Sequence, residues 1–315
     1  MTSGASTEPA RSGPLSASAR WAWAALAINV VTVLGGTLVR ATGSGAGCGQ
    51  SWPTCHGSVV PGLGSIATRI EYSHRLFSGM ALVSVAVLII SVHRHFAKGS
   101  LERRCAHLAA LAIVVESLLG AWLVLARLVE DNATVMRAIS VPVHLVNTLF
   151  LLGALTASAW VLTTGKSLRW NSPARNRVLL AAVGLSLLGA TGAIAALADT
   201  LFPAESIAHG LSADFDATAH FLTRLRTSHP VLATVVAVFL LRFAGGHIDE
   251  HRSAALAVMV LVAAQIGLGL LNVVLLTPIW IQILHLLVAD LLWISVILLG
   301  LELSAKSPGP TPGRS

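Results

Sequence analysis

The stretch TRIEYSH (residues 68–74) gives the first indication of the fold, because the chain repeats it as TRLRTSH at residues 223–229. Both copies lie at the start of an apolar segment, and three further matches between the two parts of the chain keep the same order. The matched pairs are Leu34–Thr37 with Leu188–Thr191, Glu116–Gly120 with Gln265–Gly269, and His144-Leu145 with His285-Leu286. The ordered matches predict two tandem halves, related as a parallel repeat with its axis along the membrane normal.

Eight apolar segments follow one another along the chain. They are Trp21–Val39, Ile70–Val92, Cys105–Leu128, Ser140–Leu162, Arg177–Leu197, Arg224–Phe243, Ala254–Leu276 and Ile279–Leu301. Each is close to the ~20 residues that a helix needs to cross the hydrocarbon of a bilayer, where backbone groups must be paired within the segment. The sequence therefore predicts an all-α integral membrane protein, with eight transmembrane helices arranged as two pseudo-symmetric four-helix bundles in tandem.

The composition supports a membrane protein and argues against a nucleic-acid-binding one. Only 11% of the 315 residues are charged, whereas soluble domains carry about 25%, and the mean hydropathy is +0.77. The net charge of +7 comes from basic residues in short loops between apolar segments rather than from one patch. Such residues set orientation in the membrane, so no nucleic-acid partner is expected.

The distribution of Lys and Arg predicts that both termini are cytoplasmic. The basic loops contain Arg94, Lys98, Arg103, Arg104, Lys166, Arg169, Arg175, Arg177, Arg242 and Arg252. The loops Arg40–Thr68 and Ala198–Thr223 then face outward. The predicted domains are a disordered cytoplasmic tail (1–19), an N-terminal half (20–165), a C-terminal half (166–304) and a second cytoplasmic tail (305–315).

Four histidines are candidates for holding a heme. His74, His144, His229 and His285 each lie about six residues inside a helix that enters from the outside, which is about 9 Å of depth. Ionisable groups at such depth are functional by default, and neutral imidazole is a good ligand for iron. Hydrogen bonds between helices and a proton relay are the alternatives. His220, nine residues before His229, is a rival ligand, and the repeat favours His229.

The halves differ beside their histidines. Glu71 lies one helical turn before His74 and projects from the same face, whereas its counterpart in the repeat is Arg226. The first half can therefore place a carboxylate near its iron, and the second can place a cation near a heme propionate or a lipid headgroup. The alternative is an interfacial acid paired with Arg69 or Arg75.

Two arginines and two cysteines lie at the predicted outer face. Arg40 and Arg75 can pair with heme propionates through their forked donors, or can anchor helix ends. Cys48 and Cys55 lie in one outer loop, where disulfides persist. A structural bridge, a redox-active pair and, with weaker support, a metal site with His56 are all compatible with the loop.

The same residues carry a family resemblance over nearly the whole span from Trp21 to Leu303. The chain resembles heme A synthases through RATGSG (40–45), the loop CGQSWPTCHG (48–57), IEYSHR (70–75) and the histidines of the fourth, sixth and eighth segments. Members of this family oxidise the C8 methyl group of heme O to a formyl group by successive hydroxylation, with oxygen from water, to give heme A for cytochrome oxidase. One departure is Pro230 directly after His229, where many relatives have arginine.

The resemblance implies a division of labour between the halves. His74 and His144 would bind the substrate heme O, His229 and His285 would hold a heme b cofactor, and Glu71 would be the catalytic acid. The loop cysteines resemble the family's outer disulfide.

The expected partners are heme O, an electron acceptor and the lipid bilayer, and a homo-oligomer stays open. Contact with the farnesylating enzyme that makes heme O is implied by the resemblance alone. The alternative functions are a diheme b-type membrane electron carrier and a transporter. The transporter has less support, since the helices lack paired Gly/Pro breaks at mid-membrane.

Overall fold

The computed structural model describes residues 16–169 and 171–306, and within these ranges all extended regular structure is helical. The helices are α1 (Ala17–Ala41), α2 (Ile66–His95), α3 (Leu101–Leu125), α4 (Val135–Thr164), α5 (Arg175–Leu201), α6 (Ile207–Phe215), α7 (Phe221–Leu225), α8 (Ser228–Gly245), α9 (Arg252–Val274) and α10 (Ile279–Ser304). The all-α prediction is confirmed.

Eight spans are long and apolar enough to cross a membrane, as the sequence predicts. Seven are single helices, and the sixth, Phe221–Gly245, consists of α7 and α8 with a two-residue turn between them. Large apolar side chains such as Leu111, Val183, Val260 and Leu270 are exposed along these spans, as expected for surfaces whose solvent is lipid. The chain is a multi-pass membrane protein.

Polar caps extend several helices beyond the predicted segments. The Ser65 hydroxyl accepts from the Thr68 amide, so α2 begins at Ile66 rather than Ile70. Thr134 caps α4 in the same way and moves its start to Val135. A hydroxyl at such a position satisfies an amide that has no partner within the helix.

The tail predicted over residues 1–19 is shorter than expected, because Ser16 caps a helix that begins at Ala17. The other predicted tail, 305–315, is also partly ordered. Ala305 forms a bridge with Leu168, and the Lys306 amide donates to the Ser167 carbonyl. Residues 1–15 and 307–315 lie outside the described residues.

Each half forms a closed ring of four spans. In the first half α1 packs on α2, α2 on α3, α3 on α4 and α4 on α1; in the second, α5, α8, α9 and α10 follow the same order. The halves meet where α1 and α4 contact α5 and α10. The pseudo-symmetric relation of the halves and their boundary at 165/166 stay predictions, and the equal order of contacts supports them.

The tightly packed core lies toward the ends of the bundles that the basic loops connect. On α1 the buried residues are Ser18, Ala19, Ala22, Ala25, Leu26 and Asn29, all in its first half. On α9 they are Ala255, Val258 and Val262, again in the first half of the helix. The histidines lie beyond this core, toward the long loops, where interior packing between helices is looser.

Candidate functional site

His74 on α2 lies against the backbone of α1. A Cβ added at Gly36 would lie 3.2 Å from His74 Cε1, and one added at Gly35 would lie 3.4 Å from Nδ1. The two glycines therefore allow the imidazole to approach the neighbouring helix. The ring's Nδ1 is buried and has no hydrogen-bond partner among the described residues.

His144 on α4 faces α3. Its Nδ1 lies 3.5 Å from Glu116 Oε1, and it too is buried without a hydrogen bond in the described part of the chain. Gly120, one turn after Glu116, is close to the ring, since an added Cβ would lie 3.9 Å from His144 Cε1.

In the second half His229 and His285 face each other. Their ring centroids are 6.4 Å apart and their planes are inclined by 78°. The Nδ1 of His229 lies 3.3 Å from the Leu188 carbonyl, a contact that favours a proton on Nδ1 and leaves Nε2 free as a ligand. An alanine Cβ at Gly192 would lie only 2.9 Å from His229 Cε1, so this glycine is required for the ring's position.

His285 on α10 has neighbours at the positions that match those of His144, but its polar contact is made by Nε2 rather than Nδ1. Its Nε2 lies 3.1 Å from the amide nitrogen of Gln265 on α9, and an added Cβ at Gly269 would lie 3.4 Å from its Cε1. Its Nδ1 is a buried atom without a hydrogen bond to any described residue. The pairs Glu116/Gly120 and Gln265/Gly269, matched in the sequence, therefore occupy matching places beside the two histidines.

The depth of the histidines differs slightly from the prediction of about six residues. They follow the first residue of their spans by eight positions (His74), nine (His144), eight (His229) and six (His285). Polar caps at the span starts account for the longer offsets, because the apolar pattern begins several residues after the helix does. The four side chains thus lie within the first three turns of their spans.

These residues fit a heme held by axial imidazoles. Three of the four rings have a buried nitrogen without a partner among the described residues, and glycines clear the space beside all four. The 6.4 Å centroid separation of His229 and His285 accommodates a metal between the ring edges, given metal–nitrogen bonds of about 2 Å. No group of three or more His, Cys, Asp or Glu residues suited to a bare metal ion occurs within residues 16–169 and 171–306.

His220 has a different role from His229. It caps α7, its Nδ1 accepting from the Leu222 amide, and its ring stacks on Phe202 with centroids 4.7 Å apart. His229, by contrast, faces His285. This geometry agrees with the preference for His229 drawn from the repeat.

Glu71 is buried beneath the loop between α1 and α2, with 3% of its surface exposed. Its Oε2 accepts from the Cys48 amide at 2.7 Å, and its Oε1 accepts from Nε and Nη2 of Arg75 at 3.1 and 2.5 Å. Of about four acceptor positions on a carboxylate, three are occupied. Glu71 is thus oriented by three donors and retains one position for a further hydrogen bond.

The loop over Glu71 is closed by a disulfide between Cys48 and Cys55. The bridge is therefore present, and whether it has a structural or a redox role stays a prediction. Arg75 ties the loop to α2, because its Nη1 donates to the carbonyls of Ser51 and Thr54 at 2.6 and 2.5 Å. The guanidinium that the sequence offers to a propionate is therefore engaged with Glu71 and the loop, and propionate contact by Arg75 stays a prediction.

Arg40, at the end of α1, reaches across to the second half. Nη1 donates to the Ala196 carbonyl at 2.7 Å and to the Thr200 hydroxyl at 2.6 Å, and Nη2 donates to Gln282 Oε1 at 2.7 Å. All three hydrogen-bond acceptors are neutral, so they do not offset the positive charge of the guanidinium. This charge lies beside the helix that carries His285. Its role as a propionate contact stays a prediction, now directed to the second half.

The guanidinium of Arg226 is not the free cation that the repeat suggested. Its Nη1 lies 2.8 Å from Asp199 and its Nη2 lies 2.5 Å from Asp214. Two aspartates from the second outer loop and the end of α5 hold it, so its charge is offset by protein. The expected contact with a propionate or headgroup stays a prediction.

Several polar contacts near the histidines are not foreseen by the sequence analysis. Asn147 and Thr148 on α4 both donate to Glu116, and Gln282 accepts from Arg40. Asp290 on α10 is fully buried, and its two carboxyl oxygens have no hydrogen-bond partner among the described residues. In the sequence, the residues that make these contacts are recognisable only as polar residues within apolar segments.

Comparison with known proteins gives matches over most of the chain. A protein of Thermus thermophilus named protoheme IX farnesyltransferase is 42% identical over 299 residues, which cover 91% of this chain and 49% of that protein. A heme A synthase of Bacillus mycoides is 44% identical over 92 residues, or 29% of this chain and 30% of the relative. A heme A synthase of Bacillus cereus is 42% identical over 92 residues, with the same coverage.

The aligned part of the chain spans about half the length of the Thermus relative. It spans less than a third of the length of the Bacillus relatives. The sequence profile of the COX15-CtaA family, described as cytochrome oxidase assembly protein, matches residues 19–297, from the first turn of α1 into the last third of α10. The match includes the four histidines, Glu71 and the disulfide loop, and the chain belongs to this family.

Proposed function

We propose that the chain is a heme A synthase, an oxidoreductase that converts the C8 methyl group of heme O to a formyl group. The observation that carries the proposal is the position of Glu71. This acid lies one turn from His74 in the first half, beneath a disulfide-closed loop. The second half has Arg226 there, held by two aspartates. The family match and the names of the Bacillus relatives support the same activity.

The overall reaction requires water and an electron acceptor. A methyl group and one water molecule give a formyl group, four protons and four electrons. On this proposal His74 and His144 hold heme O in the first half, and His229 and His285 hold heme b in the second. Heme b, when bound, supplies one-electron transfer toward an external electron acceptor.

Glu71 is suited to the chemistry by its burial and its donors. A carboxylate in a site of low dielectric stabilises positive charge that develops on the reacting carbon. The Cys48 amide and Arg75 fix its orientation, and the remaining acceptor position can receive a proton from the attacking water. The loop 48–57 covers this acid and limits the access of other water.

Replacing Glu71 by Ala tests the catalytic role. We expect heme A formation to be abolished while heme b in the second half is retained, because none of the contacts of His229 and His285 includes Glu71. The measurement is chromatography of extracted hemes from protein produced with a supply of heme O. Glu205→Ala in the second outer loop is the matched control and retains heme A formation. Normal heme A yield from Glu71→Ala would refute the role.

The diheme electron carrier is distinguished by the same extraction. The facing rings of His229 and His285 suit an electron-transfer heme, so this function has one favourable observation. A carrier contains two heme b molecules per chain with or without a heme O supply. A synthase contains heme b in both cases and heme A only when heme O is supplied.

The proposal also includes the orientation of the chain in the membrane and one protein partner. Both termini lie in the cytoplasm and the heme sites lie near the outer face, since the loops with most Lys and Arg adjoin the packed core. The Thermus relative named protoheme IX farnesyltransferase is about twice as long as the matched region. It supports a partnership with the enzyme that supplies the farnesylated substrate.

A further inference from the structure

Glu116 lies in the middle of α3, within the membrane, and is held by two donors from α4. Asn147 Nδ2 donates to Oε2 at 2.6 Å, and the Thr148 hydroxyl donates to Oε1. Asn147 is itself fixed by a second bond, to the Ala112 carbonyl at 3.0 Å. These contacts present Oε1 to His144 Nδ1 at 3.5 Å, and that nitrogen has no hydrogen bond to another described residue.

The second half has neutral and apolar groups at the matching positions, and its contact is made by the other ring nitrogen, Nε2 of His285 rather than Nδ1. Gln265 stands in the place of Glu116 and contacts the ring of His285 at 3.1 Å. The residues three and four positions after His285 are Val288 and Ala289, where the first half has Asn147 and Thr148. The first half is therefore built to hold a carboxylate beside its histidine, and the second half is not.

We infer that Glu116 is a positioning residue that acts through His144. It accepts a hydrogen bond from Nδ1, fixes the orientation of the ring and directs Nε2 toward the iron of the first-half heme. A carboxylate in this place raises the basicity of a ligating imidazole. Hydrogen bonds in free enzymes are often long and shorten when the substrate binds, so the 3.5 Å separation is consistent with this role. The inference rests on the proposed function, because it assigns His144 to the substrate heme.

The consequence is a difference in reduction potential between the two hemes. A more basic axial imidazole stabilises ferric iron relative to ferrous iron, and hydrogen bonding to the ligand is one of the means by which proteins set heme potentials. Glu116 therefore lowers the potential of the first-half heme. Gln265 carries no charge and leaves the second-half heme at a higher potential, so electrons pass from the substrate half to the cofactor half.

The test is a spectroelectrochemical titration of full-length protein purified with heme O supplied, with hemes identified by chromatography. We expect Glu116→Gln to shift the ferric/ferrous equilibrium of the first-half heme at least tenfold toward ferrous iron, about 59 mV for one electron, with the second-half heme unchanged. Glu116→Asp retains most of the wild-type potential, and Glu102→Gln at the start of α3 is the control without an effect.

The outcomes separate this inference from the proposed function. If a variant that carries both His74→Ala and His144→Ala retains every heme of the wild type, the first half is not the substrate site and the proposed function fails. If both hemes are bound and Glu116→Gln leaves both potentials unchanged, only the positioning role is overturned. If Glu116→Gln fails to fold, Asn147→Ala decides, because it removes the amide that fixes Glu116 Oε2, and an unchanged first-half potential in that variant overturns the inference.

Discussion

Gly192 on α5 offers a sharp test of the second-half site, because the ring of His229 lies directly over it. An alanine Cβ would lie 2.9 Å from Cε1 and 3.2 Å from Nδ1 of this ring, whereas carbon atoms pack best at about 3.5–4.0 Å. The ring cannot move away without loosening the 3.3 Å contact of Nδ1 with the Leu188 carbonyl. Such overpacking costs about 1–3 kcal/mol when the ring is held in place, whereas the preference of a helix for Ala over Gly is the same in the free and the heme-bound protein and does not change the affinity.

A cost of about 1.4 kcal/mol on the bound state weakens heme binding roughly tenfold. We therefore expect Gly192→Ala to lose most of its heme b during purification and to bind added heme b about tenfold more weakly than the wild type. Gly184→Ala is the matched control on the same helix, since its Cβ would lie at an ordinary 3.5 Å from Val236 on α8. Wild-type heme b affinity in Gly192→Ala, with the Gly184→Ala control also unchanged, would contradict the placement of His229 at the heme.

Two further substitutions test a contact between the halves and a buried carboxylate. Arg40→Leu removes three hydrogen bonds from a charged donor, each of which contributes about 1.5–3 kcal/mol when measured alone. Because these contributions are not additive, we expect the free energy of unfolding, measured with denaturant in detergent, to fall by about 3 kcal/mol. A free energy of unfolding within about 0.5 kcal/mol of the wild type would argue against the contact. Asp290→Asn removes a fully buried carboxylate without a partner among the described residues. An unpaired buried polar group costs about 1–3 kcal/mol. We therefore expect this variant to have equal or higher stability in the same assay. A marked loss of stability in Asp290→Asn would show that the carboxylate has a stabilising partner.

The spans were predictable because bilayer thickness and hydropathy determine them almost alone. The errors lie at their ends. Arg137 lies in the first turn of α4 and interrupts the apolar pattern, so the predicted segment began at Ser140, although Thr134 caps the helix before it. Arg137 is tolerated there because its Nη1 donates to the carbonyls of Glu130 and Asn132 in the preceding loop. A hydropathy pattern contains no information about such local partners.

The site was predictable in its histidines and less so in its charges. The repeat aligns residues that must lie at equal depth, and this places all four imidazoles. It does not show which acid meets which base, because these contacts join distant positions: Arg40 with Gln282, and Arg226 with Asp199 and Asp214. The short helix α6, which brings Asp214 toward Arg226, lies in a loop that the sequence analysis left without structure.

The position of α10 has a consequence for biogenesis. This helix leaves the ribosome last of the ten, since chains are made from the N-terminus, yet it packs against α1 and α4 as well as α5 and α9. It supplies Gln282 to Arg40, and Glu302 to Trp160 of α4 and to Lys166 just after that helix. Until α10 inserts, the first half lacks these acceptors and keeps an apolar face without its neighbour. Insertion of α10 thus completes the contacts between the two halves, and a nascent chain stopped before residue 279 leaves the faces of α1 and α4 that meet α10 uncovered.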